Sequence, residues 1–185
     1  MDYTLKNFRN AAEERLKAAT TLLDAKNRDI ASRAPALRRA STRLRAQLGA
    51  YLVQVGLECW LKARILALSL SKEKSPSVVL YVERFGTLGQ DGRKRSPIFD
   101  SAEGHRLTLL AQKASLERLL KDAGKPPSLM TDRCWARMTH GERPYSLRYG
   151  AEEVSIEDAQ EELERGRMLE NIIAINIPIL GVARR

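Results

Sequence analysis

The chain has 185 residues, of which 43% are apolar, 30% charged and 5% aromatic, with a formal net charge of +9. This length and balance are typical of one globular domain with a full hydrophobic core. The chain has two cysteines, Cys59 and Cys134, which exclude a disulfide framework and a cysteine-rich zinc site. No apolar leader follows Met1, and the apolar C-terminal stretch is too short to span a bilayer, so we expect a cytoplasmic protein without a membrane partner.

Two long helices are predicted in the first 70 residues. In the segment 2–27, apolar residues recur at steps of three and four, which is the spacing of one core-facing helical stripe. Pro35 cannot lie deep inside a helix and therefore predicts a break. The second helix is expected over residues 36–70.

The second helix is apolar on almost all sides, which is typical of a central helix. A narrow polar seam interrupts it every fourth residue, at Gln54, Glu58 and Lys62. The order of Glu58 and Lys62 favours an ion pair that neutralises both charges inside the protein. Small residues recur every seventh position on the roughly opposite face, at Gly49, Gly56 and Ala63. Such a face allows a second helix to approach closely.

Residues 71–104 are predicted to form a long loop, because they are rich in Gly, Ser, Pro and charge. The apolar stretch "VVLYVERF" within this loop fits a short helix or an edge strand. A third helix is expected over residues 104–122 and ends near Gly124. Residues 125–150 are predicted to be irregular or to carry a short helix. A last helix is expected from Ser155, its N-cap, to about residue 177.

These elements predict an all-α fold, an antiparallel bundle of four to five helices with a long loop at about 71–104. The whole chain, residues 1–185, is expected to form a single domain.

Charge is distributed unevenly along the chain. Residues 28–45 contain six arginines and one acid, whereas residues 151–173 contain eight acids and two arginines. The net charge favours a polyanionic partner, and the candidate phosphate contacts are Arg38, Arg39, Arg43, Arg45, Arg93, Lys94 and Arg95. Two alternatives stay open, namely self-association of the basic end with the acidic helix and simple solvation of each charged face.

The stretch "AYLVQVGLECWLKARILAL" resembles the second long helix of the HEPN domain, a helical nucleotide-binding module of higher eukaryotes and prokaryotes. The matching residues are Glu58, Cys59, Leu61, Lys62 and Ala63. Family members often open the next helix with His-Asp-Leu, whereas this chain has an arginine at the middle position, "HRL" at 105–107. The segment "LRYG" followed by a Glu-rich helix is also similar. The resemblance implies a helical bundle, a homodimer, and association with RNA, a nucleotide or a nucleotidyltransferase-like protein partner.

Nucleases of that family use an Arg-x(4–6)-His pair, and the chain has only two histidines. In metal-free RNA cleavage a histidine moves protons near neutral pH while an arginine stabilises the developing phosphate charge. In the segment "RCWARMTH", six residues lie between Arg133 and His140. These two are therefore the candidate catalytic residues. His105 lacks such an arginine and is expected to be a helix N-terminal residue held by local hydrogen bonds.

Three functional hypotheses follow. The first is a HEPN-like module that binds RNA or a nucleotide, within a prokaryotic toxin–antitoxin or defence system as the family implies. The second is a metal-independent ribonuclease that uses Arg133 and His140. The third is a non-catalytic scaffold that docks a protein through its small-residue face or its acidic helix. No cofactor and no metal site is predicted, since no metal-binding spacing or phosphate-binding glycine loop is present.

Overall fold

Helix α2, Pro35–Ser69, is the central element of a computed structural model of the chain. The structure describes residues 3–24, 35–100, 102–140, 147 and 153–177, with only the backbone at 35–40 and 102–103. Pro35 is the first residue of the helix, where its missing N–H costs no hydrogen bond. At about 1.5 Å of rise per residue, its 35 residues span roughly 50 Å.

The other described elements surround α2 or extend from its ends. The α-helices are α1 (Leu5–Asp24), α3 (Val78–Phe85), α4 (Leu107–Lys113), α5 (Leu116–Asp122), α6 (Arg133–Met138) and α7 (Ile156–Asn176). Two short strands, β1 (Thr87–Leu88) and β2 (Lys94–Arg95), form an antiparallel hairpin. Short 3-10 turns occupy Ala102–His105 and Pro127–Met130. None of the described helices is both long and apolar enough to cross a membrane.

Helices α1 and α2 pack antiparallel along the small-residue face. A Cβ atom added at Gly49 would lie 2.6 Å from Leu23 Cδ2, and one at Gly56 would lie 3.0 Å from Leu16 Cγ. The two glycines therefore let the backbones approach more closely than a side chain would permit. The predicted close approach at this face is confirmed, and the helix that makes it is α1.

Helix α7 covers α2 from another side and runs in the same direction as α2. Its N-cap is Ser155, as predicted, and the Ser155 hydroxyl accepts a hydrogen bond of 3.0 Å from the Asp158 amide. Further along, Gly166 lies against Val53, and the carbonyl of Asn176 accepts a hydrogen bond of 2.5 Å from Arg64 Nη1.

The predicted third helix is wrong in one respect, because the structure divides it into α4 and α5. Ser115 lies between them with φ +53°, a left-handed conformation that ends α4. Arg64 Nε donates a hydrogen bond of 3.2 Å to the carbonyl of Ala114 at this break. The turn buries Leu116 completely, so burial and the arginine contact outweigh the local preference for a continuous helix.

The region 71–104 is more ordered than the predicted loop. The stretch "VVLYVERF" forms α3, whose N-cap Ser77 accepts a hydrogen bond of 3.3 Å from the Leu80 amide. Backbone hydrogen bonds also join the start of this region to the N-terminus, since the Val78 amide donates to the carbonyl of Tyr3 at 2.9 Å. In the hairpin, Thr87 pairs with Arg95, and Gly92 supplies the positive φ of the turn.

The predicted all-α bundle is confirmed, with α1, α2 and α7 as its long helices. The core consists mainly of leucine, alanine and isoleucine side chains from these three helices, completed by α4, α5 and α6.

Replacing Gly56 by leucine is expected to destabilise the fold. The new side chain would overlap Leu16, which is fully buried, and overpacking of this kind costs about 1–3 kcal/mol. Urea unfolding measures the change in the free energy of unfolding. Ala136→Leu on the exposed side of α6 is the control and should leave that free energy almost unchanged. Equal stability of both variants would contradict the close packing of α1 on α2.

Candidate functional site

The polar seam of α2 contains a buried ion pair. Lys62 Nζ lies 2.7 Å from Glu58 Oε1, and both side chains are more than nine-tenths buried. The predicted pair is therefore confirmed. Each charge would be costly in this position alone, and the pair removes most of that cost.

His105 reaches the same carboxylate from the turn before α4. Its Nδ1 lies 3.0 Å from Glu58 Oε2. Because an ionised carboxylate only accepts hydrogen bonds, Nδ1 carries the hydrogen in this contact. The sequence predicts local hydrogen bonding for His105, and the structure adds a partner that is 47 positions away in the sequence. The His105 side chain remains 44% exposed, so the contact joins a buried carboxylate to the surface.

The Glu58 pKa is lower than its ordinary value of 4.5. Burial raises this pKa, but the hydrogen bond from His105 and the positive charge of Lys62 together outweigh burial. Glu58 is therefore ionised at neutral pH. This arrangement stabilises a charge and does not hold a proton in reserve for catalysis.

Gln54, the first residue of the seam, is 1% exposed. Neither atom of its side-chain amide has a hydrogen-bond partner among the residues that the structure describes. Both cysteines are also buried, and burial raises the pKa of each thiol to about 11. Neither thiol is therefore an activated nucleophile at neutral pH.

Arg133 and His140 are not brought together. Arg133 is the first residue of α6, and the helix ends at Met138, two residues before His140. Both side chains are exposed, and no hydrogen bond or ion pair joins them within the described part of the chain. A continuous helix would have placed the two on one face, but α6 is too short to do so.

Arg137, which lies between them, is the important charge of this segment. Its guanidinium bonds three carboxylates of α7, those of Asp158 at 2.8 Å, Glu161 at 2.6 Å and Glu162 at 2.8 Å. Burial lowers the pKa of Arg137, but the hydrogen bonds to Glu161 and Glu162 outweigh burial and raise it. The predicted acidic helix is thus partly neutralised inside the chain, which leaves less of it for self-association.

The two described arginines in the first turns of α2, Arg43 and Arg45, are engaged within the chain. The side chains of Arg38 and Arg39 lie outside the described residues. Arg43 forms an exposed ion pair of 2.9 Å with Glu153. Arg45 Nη2 donates a hydrogen bond of 2.9 Å to the carbonyl of Leu22, close to the end of α1. Arg45 therefore stabilises the end of a helix, where carbonyl groups lack intrahelical partners.

The second basic cluster, on the hairpin, lines an open groove. The groove has a volume of about 450 Å³ and lies between α3 and β2. Its lining includes three valines and three consecutive cations: Val78, Val79, Val82, Arg93, Lys94 and Arg95. Two acids, Glu83 and Asp100, also line it, which leaves one positive charge in excess.

The three cations of the groove differ in their partners. Lys94 Nζ donates a hydrogen bond of 2.6 Å to the carbonyl of Glu83, which fastens the hairpin to α3. Arg95 pairs with Asp91 at 2.5 Å. The Arg93 side chain is exposed and has no hydrogen bond or ion pair to any described residue. Arg93 is therefore the cation most accessible to an anionic ligand.

The two basic clusters lie at opposite ends of α2. Arg43 and Arg45 are near its N-terminus, beside the C-terminal end of α1. The hairpin is attached to α3. Tyr81 of α3 hydrogen-bonds to Ser69, the last residue of α2, at the other end of that helix. The 26 helical steps from Arg43 to Ser69 correspond to roughly 39 Å. One small molecule therefore cannot contact both clusters.

Sequence reasoning found the cations of the groove but missed its apolar wall. Val78 and Val82 are four residues apart, which is one helical turn, so the wall is visible once "VVLYVERF" is assigned to a helix. No sequence pattern near Glu58 or His105 indicates the contact between these two residues.

Comparisons with protein-family models, curated proteins and solved structures found no match to this chain. The resemblance to the HEPN domain consequently remains a prediction. Among the described residues, no group of three or more His, Cys, Asp or Glu side chains is placed to hold a metal ion.

Glu58→Gln is expected to destabilise the protein more than Lys62→Met. Removing the carboxylate leaves Lys62 buried without a counter-charge, which costs about 3 kcal/mol, whereas Glu58 keeps His105 when Lys62 is removed. Urea unfolding at neutral pH compares the two variants.

The pH dependence of the same variants checks the cause. Because the folded-state pKa of Glu58 is lowered, its contribution to stability is present above about pH 4.5 and is lost as the pH falls further. The stability difference between wild type and Glu58→Gln should shrink in acid. A constant difference would contradict an ionised Glu58.

Arg137→Gln is expected to lower the free energy of unfolding by about 3 kcal/mol, because it leaves the fully buried Glu162 without this counter-charge. Arg133→Gln on the same helix is the matched control and should change stability little, since Arg133 is exposed. Thermal unfolding of both variants provides the measurement. Equal melting temperatures would show that the contacts of α6 with α7 contribute little.

Proposed function

We propose that this chain is a HEPN-like helical module that binds RNA or a nucleotide at the groove between α3 and the β1–β2 hairpin. One observation carries the proposal: an open groove of about 450 Å³ has consecutive cations on one side and valines on the other. Its volume lies within the range of ordinary ligand sites.

The two walls match the two chemical parts of a nucleotide. Guanidinium and ammonium groups bind phosphate through charge-assisted hydrogen bonds. The N–H groups of the Arg93 side chain donate to no described residue and can therefore bind a phosphate. The valines offer apolar contact to a ribose or the face of a base. The acids Glu83 and Asp100 would repel additional phosphates. This repulsion favours a short segment of RNA or a nucleotide as the ligand over a partner with a highly charged surface.

The ribonuclease hypothesis has no comparable support, because Arg133 and His140 are separated by the end of α6. The scaffold hypothesis loses its small-residue face, since α1 covers Gly49 and Gly56. A homodimer, a nucleotidyltransferase-like partner, a toxin–antitoxin or defence setting and a cytoplasmic location remain predictions drawn from the sequence.

Arg93→Glu is expected to weaken binding of a single-stranded RNA of roughly 12 nucleotides by about tenfold and to lower the slope of log affinity against log salt concentration by about one. The measurement is fluorescence anisotropy with labelled RNA at several salt concentrations, with ATP as a competitor. Displacement of the RNA by ATP indicates that one nucleotide fills the groove.

Lys125→Glu is the matched control, since it makes the same change in net charge at an exposed position outside the groove. It should retain nearly wild-type affinity. Equal weakening by both variants would mean that only the overall charge attracts RNA and would overturn the assignment of the groove.

A further inference from the structure

Five aromatic side chains form a continuous row beside the groove. In order along the row they are Tyr3, Phe8, Phe99, Tyr81 and Phe85, with neighbouring ring centroids 5.1–6.0 Å apart. The row contains all three phenylalanines of the chain and two of its five tyrosines. A chain with few aromatic residues therefore concentrates half of them at one end of the bundle, next to its basic hairpin.

Phe85 is not among the residues that line the groove, but it follows them directly on α3. It is the last residue of α3 and follows Val82, which lines the groove, by three residues, so the two side chains lie on neighbouring parts of one helical face. The next residue, Gly86, packs against the backbone carbonyl of Arg95, a cation of the groove. Phe85 therefore lies between a groove-lining turn of α3 and a residue whose backbone meets β2.

The Phe85 ring is held on one side and open on the other. Tyr81 packs against it with a centroid distance of 5.1 Å, and Phe99 meets Tyr81 edge-on at the same distance. Even so, 51% of Phe85 is exposed. A large apolar ring that is held by its neighbours and faces solvent provides a preformed surface for another flat group.

We propose that Phe85 stacks against an unpaired base of a single-stranded RNA whose phosphates contact the Arg93–Arg95 side of the groove. This inference rests on the proposed function and adds the class of ligand. Aromatic rings beside a positively charged groove are typical of proteins that bind single strands with little sequence preference. Bases within a duplex are already stacked on each other and cannot reach the ring.

The charge of the site favours RNA over a protein as the occupant. An apolar partner helix that covered the groove would bury Arg93 without an acceptor, whereas a nucleotide supplies both a phosphate for the guanidinium and a base for the ring. A single-stranded chain satisfies the two requirements at once.

Phe85→Ala is expected to weaken binding of the same single-stranded RNA about tenfold, because one base loses its stacking partner. It should leave binding of inorganic polyphosphate unchanged, since polyphosphate carries the charge without bases. Phe85→Leu, which retains apolar bulk but no ring, should show most of the loss. Tyr3→Ala, at the far end of the row and equally exposed, is the matched control and should bind RNA as the wild type does.

Phe85→Trp provides a direct readout. The native tryptophans, Trp60 and Trp135, are only 1% and 4% exposed, so a tryptophan at position 85 would be the main one accessible to a ligand. Single-stranded RNA should quench its emission and retain affinity, whereas duplex RNA and polyphosphate should leave the emission unchanged.

The two proposals fail in different ways. If Arg93→Glu weakens RNA binding but Phe85→Ala does not, and no quenching occurs at position 85, the stacking inference is overturned while the groove remains a phosphate site. If Arg93→Glu and Lys125→Glu behave alike, the groove itself is the wrong assignment. Equal affinity for duplex and single-stranded RNA also overturns the stacking inference.

Discussion

The buried carboxylate of Glu58 is the constraint on which the rest of the structure depends. It lies in the middle of a helix that is covered by α1, α7 and α4, and it is ionised there because Lys62 and His105 both contact it. Lys62 comes from the next turn of the same helix, whereas His105 comes from the turn that precedes α4. The contact with His105 thereby joins the turn before α4 to α2, where the chain returns after the excursion at 71–104.

The length of α2 separates the two basic clusters of the molecule. Its N-terminal end carries Arg43 and Arg45, which are engaged with Glu153 and with the end of α1. Its C-terminal end supports α3, the hairpin and the aromatic row. Because roughly 39 Å lie between the two ends, a ligand of the size of one nucleotide in the groove would lie beyond the reach of Arg43 and Arg45.

Charges that are abundant in the sequence serve different purposes in the fold. Arg137 uses its guanidinium to join α6 to α7 through three carboxylates, and Arg64 donates to the ends of α4 and α7. These side chains stabilise helix contacts and are unavailable to a ligand. Arg93 differs because it lies on an exposed turn of the hairpin, where no described carboxylate reaches it. The density of arginines in a segment therefore does not indicate how many of their guanidinium groups lack an acceptor within the described part of the chain.

The sequence by itself determined the long helices, the N-cap at Ser155, the close approach at Gly49 and Gly56 and the ion pair of Glu58 with Lys62. Each of these depends on spacing within one helix, and such spacing is a local property of the chain. Only the tertiary structure decided that His105 completes the Glu58 pair, that Ser115 interrupts the third predicted helix, that α6 ends before His140 and that five aromatic rings meet beside the hairpin. These features join segments that are far apart in the sequence, and their positions follow from how the helices pack, which no local pattern records.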